Sequence, residues 1–283
     1  MTLSLYPLSP NVGVQAHGVD LGQPIIPETV ADLRRAWLDA SVLLFRDQAL
    51  TPGDLVRVTR LFGEPLVYTR AENELRGHPE VLVLSNLKQN GRPIGSPASG
   101  RYWHTDGHFL QVPPAASLLY AMEVPPVGGD THFASMVAAY AALPDMVRLR
   151  INGRRVIISR VQSRPYNYPS KPPVTDAERA AWPDMPQPLV RTHPETGRRA
   201  LYVGGNVPWR IEGMPEEESA PLITELQSFA VRPEFQYTHR WRVGDLIMWD
   251  NRSSLHRATA YDEVNHRRLM YRTTILGDEP FFA

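Results

Sequence analysis

The chain contains no cysteine. That absence removes disulfides, thiolate-held zinc, iron–sulfur clusters and cysteine nucleophiles together. Any metal site must then rest on histidine, carboxylate and water, a ligand set that suits non-haem iron, manganese or zinc. Net charge is also missing, since 30 basic residues balance 30 acidic ones. No global charge therefore argues for nucleic acid, a membrane surface or strongly charged partners. Long apolar runs are lacking too: nothing approaches the roughly 18 residues of a membrane span. The opening MTLSLYPLSPNVGVQAHGVDLG shows no basic leader followed by an apolar stretch. A cytoplasmic protein with neither nucleic-acid nor membrane partners is the expectation.

Proline, in contrast, is abundant, with 27 in 283 residues, against an ordinary share of about 5%. Such a chain turns often and builds short elements, which favours β structure over a helical bundle. Helical spacing is nevertheless clear in PETVADLRRAWLDA (27–40), which opens on proline, and in TPGDLVRVTRLFG (51–63), with Thr51 as N-cap and Gly63 as stop. MVAAYAALP (136–144) and PEEESAPLITELQSFAV (215–231) read as two more helices, the last with acidic residues in its first turn. SVLLFRDQ, EVLVLSN, FQYTHRWRV, LIMWD and RRLMYRTTIL read as strands. Between Ser163 and Pro188 lies a proline-rich stretch expected to be irregular, and such segments in compact domains tend to be lids or binding loops. No repeat or linker divides the chain. The expectation is one domain over 1–283, mainly β with flanking helices, with a lid or insert at about 163–188.

The stretch YWHTDGHF (102–109) places two histidines and an aspartate within five positions. In a strand, residues two apart face the same side, so His104 and Asp106 could approach one ion together. His108 would lie about 13 Å from His104 along an extended chain, too far for both to reach one ion at about 2.1 Å. A bend at Gly107 would be needed to bring it in. A third ligand from a distant segment fits better. Among the nine histidines, His17, His78, His193 and His266 sit beside Gly, Pro or charged residues and read as surface or turn positions. His132 follows a turn, and His239 lies in a polar–aromatic strand. His256 follows the apolar strand LIMWD after a short polar loop, where a barrel mouth could point it inward. Two histidines and one carboxylate on one face of an ion leave positions open for other ligands, as in non-haem iron oxygenases.

Several blocks in order carry a resemblance: WHTDGHF, VPPVGGDTHFASMVAAYAALP, PLVRTHPETGRRALYV, RWRVGDLIMWDNRSSLHRA and RRLMYRTTILGD. The chain resembles the iron(II)- and 2-oxoglutarate-dependent dioxygenases of the taurine / chlorophenoxyacetate dioxygenase (TauD/TfdA) family. The resemblance implies a double-stranded β-helix, or jelly roll, and Fe(II) as cofactor with 2-oxoglutarate and O2 as co-substrates. It implies oxidation, most simply hydroxylation, of a C–H bond in a small acidic substrate, with release of succinate and carbon dioxide. His104, Asp106 and His256 match the family's iron ligands. Thr131 and Arg268 match its contacts to the far carboxylate of 2-oxoglutarate, with Arg267 the competing candidate because of a one-residue difference in loop length. Arg272 matches an arginine that grips the substrate's acid. The presence of Asp106 argues against halogenation, where a small residue replaces that carboxylate. The family also suggests a homo-oligomer.

Departures from the taurine enzyme bear on substrate. It has Asn four residues before its first ligand histidine, where this chain has Gly100, and its early loop carries a His and a Tyr where this chain reads EPLVYTRAENE. Tyr68, Arg70, Arg101 and Tyr102 are therefore candidate substrate contacts. Taurine itself is disfavoured; an alkyl sulfonate, an aryloxyalkanoate or an amino-acid derivative is compatible. Trp103 and Trp249 are expected in the core rather than on a substrate wall. Two other readings compete: a non-catalytic metal- or ligand-binding β-fold protein, and a zinc-dependent hydrolase using His104, His108 and a further residue.

Overall fold

In the computed structural model, residues 2–67, 74–95, 100–169 and 171–283 are described. The major sheet has eight strands in the order Ser4–Pro7, Val14–His17, Val42–Phe45, Leu246–Asp250, Ala116–Glu123, Leu269–Ile275, His78–Ser85 and Glu74–Leu75. Among the described residues only the pairing of Val14–His17 with Val42–Phe45 is parallel. A second sheet runs Gln236–His239, Thr131–Ser135, Ser254–Ala258, all antiparallel. The two sheets face each other as a jelly roll, with Phe133 of the second packing 5.8 Å from Trp249 of the first, centroid to centroid.

The continuous apolar runs VLLF and LIMWD follow from burial on both faces. Leu43, Phe45, Leu246 and Met248 pack against helices Pro27–Ala40 and Pro52–Phe62, through Leu33, Trp37, Leu55, Val58 and Phe62. Their alternates Val42, Leu44, Ile247 and Trp249 point into the roll, where they meet Phe133, Trp241 and Met270. Thr51 and Asp54 close a reciprocal capping box on the second helix, which satisfies two otherwise orphaned backbone donors. A third apolar cluster, centred on Trp209, Val207, Leu201 and Leu226, lies behind the second sheet. It is covered by helices Met136–Ala141 and Glu216–Ala230.

The stretch expected to be irregular between Ser163 and Pro188 is more ordered than its prolines suggest. It contributes to helix Arg160–Asn167, capped by Ser159, holds helix Asp176–Ala181, and ends in strand Met185–Pro188. The missed signal is Thr175 with Glu178, a capping box three residues apart. Among the described residues no helix is long and apolar enough to cross a membrane.

Candidate active site

His104 is not in a continuous strand, as its alternation with Asp106 suggested. It makes an isolated antiparallel bridge to His256, beside the free edge of Ser254–Ala258, and the chain turns immediately afterwards. The turn includes Gly107 at φ +64°, a left-handed conformation that costs glycine little. His108 nevertheless stays outside the cluster that His104 and Asp106 join.

Among the described residues, His104, Asp106 and His256 form a cluster whose candidate ligand atoms all lie within 4.8 Å of one another. Asp106 Oδ1 sits 3.9 Å from His104 Nε2 and 3.8 Å from His256 Nε2. Those separations exceed hydrogen-bond range. The donor set fits a divalent ion in its protonation state as well. His104 Nδ1 must donate to the Tyr102 carbonyl at 2.8 Å, which leaves Nε2 with its lone pair toward the cluster. Burial holds both imidazoles below their ordinary pKa and so neutral, against the pull of Asp106. For Asp106, burial pushes the carboxyl up, but Arg272, His256, His104 and the Ser117 hydroxyl outweigh it and hold it well below the usual range.

The second oxygen of Asp106 is tied down separately. Oδ2 accepts from Ser117 Oγ at 2.8 Å and is ion-paired with Arg272 Nη2 at 2.8 Å. Asn251 completes the clamp: its Oδ1 accepts from Trp249 Nε1 and the Asp106 amide, and its backbone carbonyl accepts from Thr105 Oγ1 at 2.6 Å. Ser117 and Asn251 were not singled out in the sequence. For Ser117 a signal existed, a lone serine inside the largely apolar run ASLLYAME, fully buried in the fold.

A pocket opens from this cluster. His104, His256 and Arg272 line it together with Thr131, Arg268, Leu84, Leu119 and Tyr261. Arg268 is held by its backbone, which donates to Asn86 Oδ1 and accepts from Ser85 Oγ. Among the described residues no carboxylate pairs with its guanidinium, and burial lowers its pKa. Arginine stays charged under such conditions, so the pocket wall carries a cation with no carboxylate partner among the described residues. Thr131 pairs in register with both His239 and Ala258, and its buried hydroxyl accepts from Trp241 Nε1 at 3.0 Å. Arg267 points elsewhere, in an exposed two-bond pair with Glu123 at 2.6 and 3.0 Å. Loop length left these two arginines in competition; only Arg268 reaches the pocket.

The remaining candidates are distributed as follows. Arg101 is exposed and ion-paired with Glu263. The Tyr102 hydroxyl lies 3.3 Å from that of Tyr168, and its ring stands 5.0 Å from the His104 ring. Tyr68 and Arg70 lie outside the described residues. His108 is buried against Trp209, and its burial and His104 lower its pKa to about 4. His193, read as a surface or turn position, is instead fully enclosed, with Nε2 3.0 Å from Asp250. Its charged neighbour Glu195 pairs with Arg252, which in turn pairs with Asp250. Trp249 is buried as expected, yet its ring also lines the pocket 4.7 Å from that of His256.

Comparison with known proteins gives the same reading. The family model for the taurine catabolism dioxygenase TauD, TfdA family matches residues 4–274. The chain is 35% identical to the alpha-ketoglutarate-dependent 2,4-dichlorophenoxyacetate dioxygenase of Cupriavidus pinatubonensis, over 98% of this chain and 99% of that protein. It is 33% identical to the (S)-phenoxypropionate/alpha-ketoglutarate-dioxygenase of Sphingobium herbicidovorans, over 96% and 94%. Its fold superposes on the crystal structure of AAD-2 in complex with Mn(II) and N-oxalylglycine at a TM-score of 0.84, with 33% identity and 99% of each chain covered. The chain belongs to the TauD/TfdA family of iron(II)- and 2-oxoglutarate-dependent dioxygenases.

Proposed function

We propose that His104, Asp106 and His256 hold the iron, that Thr131 and Arg268 bind the far carboxylate of 2-oxoglutarate, and that the oxidised substrate is a small organic acid other than taurine. The observation that carries this reading is one pocket with two neutral imidazoles and an ionised carboxylate clustered at one place and Arg268, without a carboxylate partner among the described residues, at another. Iron bound there, with 2-oxoglutarate and dioxygen, supplies the oxidising chemistry that attacks a C–H bond.

The chain's own contribution is positional. Ser117 and Arg272 occupy one oxygen of Asp106, which leaves the other turned to both imidazoles. Arg268 offers a planar, bidentate donor to a carboxylate, and the Thr131 hydroxyl a further donor. Arg272 is the second cation of the pocket wall, and it serves both Asp106 and the acid of the substrate. The two aryloxy-acid dioxygenases at 33–35% identity favour an aryloxyalkanoate or a similar acid over a sulfonate. Segment 163–188 acts as a lid; the Tyr168 hydroxyl, 3.3 Å from that of Tyr102 in the loop that carries His104 and Asp106, supports this reading.

The test is anaerobic addition of Fe(II) and 2-oxoglutarate, followed through the weak visible charge-transfer absorption. The wild type should develop the band and His256→Ala should not; a band that persists in the variant refutes the ligand assignment. Succinate release across aryloxyalkanoates, alkyl sulfonates and amino-acid derivatives then ranks the substrates.

A further inference from the structure

Behind Thr131 lies a buried polar chain that the iron site does not use. Trp241 Nε1 is 3.0 Å from Thr131 Oγ1. The indole stands edge-on to His239, centroids 4.5 Å apart at 87°. His239 Nε2 lies 3.0 Å from Asp245 Oδ2, and the Tyr237 hydroxyl 3.0 Å from its Nδ1. Asp245 Oδ2 also accepts from Arg46 Nη1 at 2.6 Å and from the Arg242 amide at 2.8 Å. His239 and Asp245 are fully enclosed and Trp241 nearly so.

Donor and acceptor roles along this chain are determined. A carboxylate only accepts, so His239 carries its proton on Nε2, and the phenol donates to Nδ1. An indole N–H only donates, so Thr131 Oγ1 is the acceptor. A threonine hydroxyl has one proton and two lone pairs. With the indole on one lone pair, the hydroxyl proton must be directed elsewhere. Thr131 lines the pocket beside Arg268, whereas Trp241 is not among the lining residues.

We propose that Trp241, braced by His239, Asp245 and Arg46, is a positioning residue that fixes Thr131 as a hydrogen-bond donor toward the co-substrate. It rests on the reading that Thr131 and Arg268 bind the far carboxylate of 2-oxoglutarate. A hydroxyl already oriented loses less rotational freedom on binding. It also selects an end group that accepts, a carboxylate, over one that only donates, because the latter would leave the buried hydroxyl proton unmatched.

The test is a double-mutant cycle on the Fe(II)-loaded protein, titrated anaerobically with 2-oxoglutarate through its visible absorption. Thr131→Val should weaken 2-oxoglutarate on the order of 10- to 100-fold, the loss of one hydrogen bond to a charged group. Trp241→Phe keeps the apolar ring but removes the donor. It should weaken binding by a similar factor in the wild-type background and by less than about twofold in the Thr131→Val background, with Fe(II) affinity unchanged. If the Trp241→Phe effect is absent, or is equally large in both backgrounds, the positioning role is overturned while the Thr131 assignment stands. If Thr131→Val alone leaves 2-oxoglutarate affinity unchanged, the underlying assignment falls and the positioning role with it. Should Trp241→Phe fold poorly, benzothienylalanine at position 241 replaces N–H by sulfur at constant shape and reads the same cycle.

Discussion

His104 and His256 are partners through the backbone before they are partners at a metal. The His104 amide donates to the His256 carbonyl at 2.9 Å, and the His256 amide returns the bond to His104 at 2.8 Å. Their rings lie 4.2 Å apart, centroid to centroid, tilted by 43°. Two segments far apart in sequence are thus brought into register by the same hydrogen-bond exchange that pairs neighbouring strands. Asp106 joins them from the turn, steadied from the major sheet by Ser117 and Arg272. The proposed iron site is thus tied to both sheets of the roll.

A site that joins two sheets links metal binding to stability. A ligand that binds only the folded state, at 100 times its Kd, stabilises by about 2.7 kcal/mol, or roughly 5 °C in melting temperature for a chain of this size. Saturating Mn(II) or Fe(II) under anaerobic conditions should raise the midpoint by about that amount. His104→Ala and His256→Ala should each abolish the rise, as read by calorimetry with and without metal. A full shift in either variant would contradict the shared site.

The two adjacent arginines should separate cleanly. Arg268→Ala leaves a carboxylate without its buried cation, a change worth about 2–5 kcal/mol at comparable pairs. The KM for 2-oxoglutarate should rise on the order of 100-fold. Arg267→Ala removes only an exposed pair with Glu123, of a kind worth about 0–1 kcal/mol, and should leave KM within about twofold. Succinate formation at varied 2-oxoglutarate measures both; similar losses in the two variants would rule out the assignment to Arg268.

Much of this was legible in the residues, and the gaps have physical causes. Capping signals and helical spacing placed Pro27–Ala40 and Pro52–Phe62 within a residue, because local chemistry defines those ends. Ser4–Pro7 and Val14–His17 carried no such signal, since short edge strands depend on pairing rather than on their own pattern. His104, Asp106 and His256 announced themselves by residue type. Ser117, Asn251 and Trp241 did not, because a polar group that satisfies another polar group reads as ordinary until the fold brings the pair together. His193 misled for the converse reason: its partner Asp250 is 57 residues away.

Gly100 marks a place where the backbone touches the site. It adopts φ +76°, and a Cβ there would sit 2.6 Å from His104 Cε1. Its carbonyl also accepts from the Ala258 amide at 2.8 Å, which fixes the loop. Gly100→Ala therefore adds left-handed strain of roughly 1–2 kcal/mol and displaces a ligand ring. Fe(II) affinity should fall by an order of magnitude or so, out of proportion to the loss in melting temperature of the metal-free protein. Competition against a chelator reads the first, and calorimetry the second.

Acid stability should depend on Asp250. This carboxylate is completely buried, accepts from Arg252 Nε at 2.9 Å and Nη2 at 2.7 Å, and meets His193 Nε2 at 3.0 Å. Burial alone would raise its pKa from 3.8, but Arg252 and His193 outweigh it and hold it well below that value. A group whose pKa is lower folded than unfolded binds fewer protons when folded. Its stabilisation is complete above the unfolded value and disappears as pH falls below about 4. Asp250→Asn leaves Arg252 and His193 facing a neutral amide, and breaking a buried pair in this way costs about 3–5 kcal/mol. Urea unfolding of the chelator-treated protein should show that deficit at pH 7 and a narrowing gap between wild type and variant from pH 4 downward. A gap that stayed constant through pH 3 would mean that Asp250 does not carry the acid sensitivity.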